Sequence, residues 1–204
     1  MDINALNKLF GNVDIYLLDQ LLKGRFNKEM IILDSGCGEG RNTHYFIQQG
    51  YKILGTDRNP TAINMARITA KTLDPTFDPE RFQVANVEEL PFHDGAINAI
   101  ISSAVMHFAD DLAHFMSMMQ EQMRVLAQGG LFWLRMCTDA GGCFSQGTEV
   151  QQKQQLPDGT ERFILTEDLT RTIMQQFGLI PLEPMKSVLV HGQRAMGVFM
   201  FQKD

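Results

Sequence analysis

Three glycines at alternate positions, Gly36, Gly38 and Gly40, follow the apolar run Ile31-Ile32-Leu33 and the acid Asp34, and these residue types at this spacing can build a ligand site. An apolar run ending in an acid reads as a central parallel strand. Glycines just beyond it permit positive φ and let backbone N–H groups approach a ligand with no Cβ in the way. Two ligand classes use such a loop. A pyrophosphate site requires G-x-G-x-x-G, in which the third glycine packs the next helix onto the strand. Here the spacing is G-x-G-x-G, and Arg41 stands where the third dinucleotide glycine would be, which disfavours an NAD-dependent oxidoreductase. Cys37, inside the loop, reads as a small residue that fits there rather than as a reactive thiol. Arg41 and Asn42 open the helix that follows.

The elements that must position this loop alternate in type. Residues 3–23 carry apolar side chains at helical spacing, Leu6, Leu9 and Phe10 and then Ile15, Leu18, Leu21 and Leu22. A strand over 30–34 leads through the glycine loop to a helix over 41–49, stopped by Gly50. A second strand over 52–56 ends at Asp57, and Asn59-Pro60 caps a helix running to about Leu73. A short third strand spans 81–85, and Asp94-Gly95 turns the chain into a fourth, 97–102, whose unbroken apolar character fits burial on both faces. The next helix, 111–127, places Leu112, Phe115, Met116, Met119, Met123 and Leu126 on one face, a stripe of core-filling residues. Gly129-Gly130 ends it before a fifth strand over 131–137. A polar segment of about 25 residues then runs from Thr138 to Arg162, long enough in a compact domain to be functional or mobile. A helix over 166–177 and a hairpin formed by 180–190 and 195–202 complete the chain.

Composition narrows the classes. The 204 residues suffice for one well-buried α/β domain, and 44% hydrophobic with 21% charged residues is ordinary for a globular protein. A net charge of −6 without a Lys/Arg cluster argues against a nucleic-acid partner, and no apolar run is long enough to span a membrane. The N-terminus lacks the basic and apolar regions of a secretory signal, so the expected location is the cytoplasm. Cys37, Cys137 and Cys143 form no C-x-x-C pair, and the histidines show no ligand spacing, so no metal is expected.

With the acid before it, the sequence Leu33-Asp34-Ser35-Gly36-Cys37-Gly38-Glu39-Gly40 resembles the first motif of the class I S-adenosylmethionine-dependent methyltransferases, within them the type 11 group. Four further segments resemble that family's motifs in the same order. Asp57, in Gly-Thr-Asp-Arg-Asn-Pro, stands in the family's position for the acid that accepts from both ribose hydroxyls, with Arg58 beside it. Residues Val84 to Phe92 resemble the adenine-contacting loop, although Asn86 replaces the usual Asp; Asn86 and the backbone of Val87 would meet the ring. Residues Ile100 to Phe108 resemble the edge where donor and acceptor meet, with Ser103 facing the donor and His107 the acceptor. Arg124 to Leu131 resembles a structural helix-to-strand connection.

The resemblance implies a Rossmann-like α/β fold: a seven-stranded, mostly parallel sheet ordered 3-2-1-4-5-7-6, helices on both faces and a C-terminal antiparallel hairpin. It implies a single domain over 1–204, with an N-terminal helical cap over 1–29, a donor-binding core over 30–137, an acceptor lid over 138–165 and a terminal helix and hairpin over 166–204. S-adenosylmethionine is the expected cofactor, held by Asp34, Gly36, Cys37, Gly38, Arg41, Asn42, Asp57, Arg58, Asn86, Val87 and Ser103. A small molecule is the expected acceptor, and a monomer or homodimer the expected assembly. His107 is the candidate general base, and Tyr16, in the N-terminal segment, the candidate residue that closes the site. Arg162 and Arg194 are placed to meet an anionic acceptor. A module that binds the donor without catalysis is the alternative from a different class.

Overall fold

Alternating side chains on a central sheet split the core into two layers. The computed structural model describes residues 2–140, 152–157, 159–191 and 193–204. Two N-terminal helices, α1 (Ile3–Phe10) and α2 (Ile15–Leu22), precede the first strand, each started by an aspartate cap, Asp2 and Asp14. The donor half is built from β1 (Ile31–Ser35), α3 (His44–Gln48), β2 (Lys52–Asp57), α4 (Pro60–Leu73), β3 (Phe82–Val84) and β4 (Ile97–Ser103). Then come α5 (Leu112–Val125), β5 (Leu126–Thr138), the short strands β6 (Lys153–Gln155) and β7 (Glu161–Phe163), and α6 (Glu167–Phe177). The chain closes with β8 (Leu179–Pro181), β9 (Lys186–Val190) and β10 (Arg194–Lys203).

The sheet runs β3-β2-β1-β4-β5-β10-β8, with β9 also paired to β10. The first five strands are parallel and β10 lies antiparallel between β5 and the β8/β9 pair, so the order is the expected 3-2-1-4-5-7-6. Strand periodicity assigns the layers. Leu33, Phe132, Leu134, Phe199 and Phe201 meet α5 and α6 on one face, where Phe115, Met119 and Met123 supply the expected stripe. Ile32, Ile53, Trp133, Val198 and Met200 meet α3 and α4 on the other. Asn98 closes the end of β1, its Oδ1 accepting from Ile31 N at 2.9 Å.

Four local expectations are corrected. The helix expected from Arg41 begins only at His44, because the chain is still turning at Gly40, whose carbonyl accepts from Thr43 N and Oγ1. α5 stops at Val125, and Leu126 already pairs with Ile97 in β5; the register slips before Ala99 meets Leu131, so Gly129-Gly130 lies within the strand's bulge rather than at the helix end. The polar segment expected as an open loop carries a small antiparallel ribbon, β6 on β7, closed by the turn in which Gly159 N reaches Leu156 O. Residues 141–151 of that segment, with Cys143, and Asp158 in its turn lie outside the described residues. The first arm of the terminal hairpin is broken into β8 and β9, with Pro184, which has no N–H to give a ladder, between them.

Arg124 fixes the loop after β3. Its guanidinium donates to the carbonyls of Leu90 and Phe92, to Asp94 at 2.6 Å and to Glu121 at 2.7 Å, while Glu121 Oε1 also accepts from Leu90 N. Arg124→Ala is expected to destabilise the fold by about 2 kcal/mol and to speed exchange of the Leu90 amide, measured by urea unfolding and hydrogen exchange. An unchanged Leu90 rate would contradict this role.

Candidate active site

The glycine loop is held open by backbone bonds to the neighbouring strand. Gly36 N and Cys37 N both donate to Thr56 O at 2.8 Å, which turns the chain sharply at the end of β1. Gly36 and Gly38 take φ of +75° and +55°, the left-handed region that a side chain resists. A Cβ on Gly36 would overlap the Val105 side chain, whereas one on Gly38 would stand in open space.

Asp57 closes the turn from across the site. Its Oδ2 accepts from Gly38 N at 2.9 Å and its Oδ1 from Asn59 N at 2.9 Å, so the carboxylate is aimed and still has acceptor capacity left. Asp57 and Gly36 line a cavity of about 300 Å³ with Arg58, Ala85, Val87, Val105 and Phe108 among its walls. This cavity opens at the carboxyl ends of the parallel strands, where open α/β sheets bind ligands. A larger hollow of about 860 Å³ lies beside α6 and the chain over 181–185, lined largely by apolar groups such as Leu165 and Met174. It contains none of the glycine-loop residues, so volume alone would select the wrong place.

The other sequence-derived residues fall into three groups. Arg58 lines the cavity, and Asn86 lies exposed in an adjoining surface hollow that Arg58 shares. Cys37 is buried with its thiol pushed well above the ordinary range by burial first and then by Asp34 and Asp57, which suits a packing role rather than a nucleophile. Asn42 is buried and accepts Asp14 N on its Oδ1 at 3.1 Å, while Arg41 is within 3.4 Å of Ser103 Oγ.

Asp14 is the residue that sequence reasoning missed. It caps α2 through Tyr16 N, and its carboxylate pairs with Arg135 at 2.8 Å and lies 3.8 Å from Arg41. It thereby fastens the N-terminal helices to β5 and to the turn between the glycine loop and α3. The Tyr16 ring lies 5.8 Å from the Arg135 guanidinium. A cap signal at Asp14 was legible in the sequence; its partner far along the chain was not.

His107 sits in the turn after β4, buried, edge-on to Phe108 at 4.7 Å, with no partner for Nδ1 among the described residues. Burial first, and then the guanidiniums of Arg162, Arg194 and Arg135, lower its imidazole to about 4. Asp34 shows the opposite shift: buried, with neither oxygen hydrogen-bonded among the described residues, its carboxyl rises to about 7 through burial, opposed by Arg41 and assisted by Asp57. Among the described residues no cluster of metal-type ligands is found. No helix there is long and apolar enough to cross a membrane.

The two shifts have opposite consequences for stability. A carboxyl raised from 3.8 to about 7 gives stability that is complete below the lower value and lost as pH rises through the upper one. An imidazole lowered from 6.5 to about 4 gives stability that is complete above 6.5 and lost as pH falls through about 4. Asp34→Asn removes only the first slope. The stability of the variant relative to the parent is therefore expected to rise by on the order of 3 kcal/mol from pH 4 to pH 7, measured by urea unfolding. Parallel profiles would show that Asp34 ionises normally.

The family model of the methyltransferase domain matches residues 33–134, half of the chain. An uncharacterized methyltransferase from Synechocystis sp. is 32% identical over 104 residues, which make up 50% of this chain and 45% of that one. A malonyl-[acyl-carrier protein] O-methyltransferase from Pectobacterium atrosepticum is 28% identical over 131 residues, 64% of this chain and 46% of that one. The chain thus spans less than half the length of these curated relatives. A solved S-adenosylmethionine-dependent methyltransferase from Methanosarcina mazei superposes with a TM-score of 0.71 at 20% identity, covering 90% of this chain and 96% of that one, a likeness of fold.

Proposed function

We propose that this chain, which belongs to the class I S-adenosylmethionine-dependent methyltransferase family, transfers a methyl group from S-adenosylmethionine to a small-molecule acceptor at the carboxyl edge of its sheet. The observation that carries this reading is the Asp57 carboxylate, fixed by Gly38 N and Asn59 N at the rim of the cavity with lone pairs to spare for a vicinal diol. The glycine loop fits the same ligand, since Gly38 leaves open space where any other residue would put a Cβ.

In this reading Asp57 accepts from the ribose hydroxyls, and Ala85, Val87 and Asn86 border the adenine. Gly36, Gly38, Arg41 and Ser103 face the amino-acid end, and the buried Asp34 lies beneath them. When bound, S-adenosylmethionine supplies an electrophilic methyl on a sulfonium whose departure needs no acid. The chain's own work is to align the acceptor's lone pair with that methyl and to exclude water. His107 borders the acceptor side as a neutral imidazole whose unpartnered nitrogen can accept a hydrogen bond from the acceptor; burial and the nearby guanidiniums weaken it as the general base expected from the sequence. Tyr16 and the α1–α2 segment, held by Asp14, cover the entrance, with 30–137 as the donor core.

Calorimetric titration with S-adenosylmethionine, S-adenosyl-L-homocysteine and NAD tests the donor half. Both adenosyl compounds should bind and NAD should not; NAD binding alone would sink the reading. An acceptor screen that detects S-adenosyl-L-homocysteine then tests catalysis, and donor binding without turnover on any acceptor would favour the non-catalytic module.

A further inference from the structure

We propose that Glu88 is the residue that selects adenine in the donor, its carboxylate accepting from the 6-amino group while His114 holds that carboxylate in place. This inference rests on the methyltransferase reading and assigns a specificity role within the same site. Most polar side chains on the cavity's wall are already engaged. Asp57 is turned to the ribose, and Asn59 Oδ1 accepts from Thr61 N and Ala62 N at the start of α4. Arg58 carries donors only. Among the described residues Glu88 and His114 are the remaining polar side chains of the cavity, beside the apolar Val87, Val105 and Met118. Asn86, expected to meet the ring, borders the adjoining hollow and is not one of the cavity's walls.

His114 lies in the first turn of α5 and Glu88 in the loop after β3, so the pair joins two elements across one side of the cavity. His114 Nε2 stands 2.7 Å from Glu88 Oε1. On the other side of the ring, Nδ1 accepts from Asp110 N at 3.1 Å, with Asp110 Oδ2 3.3 Å away. The neutral ring that the amide selects and the imidazolium that the carboxylate would favour both carry a proton on Nε2. Glu88 Oε1 is therefore the acceptor in either state. The ring is held in turn, since His114 N donates to the Asp111 cap at 2.8 Å. One oxygen of Glu88 is thus fixed, and Oε2 has no partner among the described residues. Both side chains are partly exposed, and a pair of this kind adds little to stability, so its effect is one of direction. A donor with its ribose on Asp57 and its amino-acid end on the glycine loop turns its base to the rest of the cavity, where Val87, Val105 and Met118 offer apolar contact. The adenine edge carries an amino group that donates and ring nitrogens that only accept. A carboxylate oxygen attracts the first and repels the second, which orients the base as well as selecting it. A site built to bond an N–H discriminates against a ligand that lacks it.

The test compares, by calorimetry on the full chain, S-adenosyl-L-homocysteine with its 6-deamino analogue, in which hydrogen replaces the amino group. The parent is expected to prefer the adenine compound about tenfold or more. Glu88→Ala should bring the two within about threefold, mainly by weakening the adenine compound. Glu88→Gln keeps one acceptor oxygen and should lie between. His114→Ala should lower the preference in the same direction by a smaller factor, because the carboxylate remains but is no longer held. Urea midpoints near the parent's show that the variants are folded. A preference unchanged in Glu88→Ala, or equal weakening of both compounds, overturns the proposal. So does a preference lost in Asn86→Ala and kept in Glu88→Ala, which would give the amino group to Asn86. A preference unchanged in His114→Ala overturns the positioning role of His114. Failure of S-adenosyl-L-homocysteine to bind the parent chain overturns the donor reading and this inference with it. Binding without a preference for the amino group overturns this inference alone.

Discussion

Replacing Asp57 with alanine is expected to weaken binding of S-adenosyl-L-homocysteine by roughly two to four orders of magnitude, at about 1.5–3 kcal/mol for each of two charge-assisted hydrogen bonds to the ribose. The same change should lower the stability of the unliganded protein by only about 1–2 kcal/mol, because the bonds it loses, from Gly38 N and Asn59 N, lie at a part-exposed strand tip where water can replace the carboxylate. This separation of affinity from stability distinguishes a ligand contact from a structural turn. Asp57→Asn keeps an acceptor oxygen but exchanges the other for a donor, so its affinity should fall between those of the parent and the alanine variant. Calorimetry for binding and urea unfolding for stability check both halves. An Asp57→Ala variant that binds within about threefold of the parent would remove Asp57 from the donor site.

Gly36→Ala is expected to cost about 2–5 kcal/mol of stability, the sum of two separable effects. One is local: at φ +75° any Cβ meets the following carbonyl, a strain of about 1–2 kcal/mol. The other is packing: the new methyl would overlap Val105, whose side chain is partly buried against the α5 layer, and overpacking of this kind costs about 1–3 kcal/mol. Val105→Ala in the same chain should restore the packing share and leave the backbone share. Gly38→Ala isolates the backbone share, because its Cβ would enter open space, and it should instead obstruct the donor. Urea unfolding of the parent, Gly36→Ala, Val105→Ala and the double variant closes the cycle, with Gly38→Ala beside it. If Gly36→Ala unfolds at the parent's midpoint, the close approach of β1's turn to the loop after β4 is wrong.

Much of this architecture was legible in the chain. The apolar run Ile31 to Leu33 and the segment 131–137 read as strands, and helical spacing assigned Phe115, Met119 and Met123 to one face; which core layer each strand residue enters was not read. Asn59-Pro60 and Leu73 gave α4 its two ends because caps and breakers act within a turn of where they stand. The glycine spacing set the donor loop, since positive φ is a property of the residue itself, and Asp57 was located by its place at the tip of the second strand.

Only the tertiary structure decided what depends on pairing across the chain. The bulge that draws Leu126 into β5 is set by its register against β4, which the helical stripe ending nearby concealed. The ribbon β6–β7 has polar strands of three residues, too short to show a period. Asp14 meets Arg135, and Arg162 meets Phe108, through contacts between residues remote in sequence, each fixed by where the sheet places its strands. Local conformational preference and periodicity are written residue by residue and can be read that way. Ion pairs, burial and the shifts they impose on His107 and Asp34 belong to distances in space, which exist only once the chain has folded.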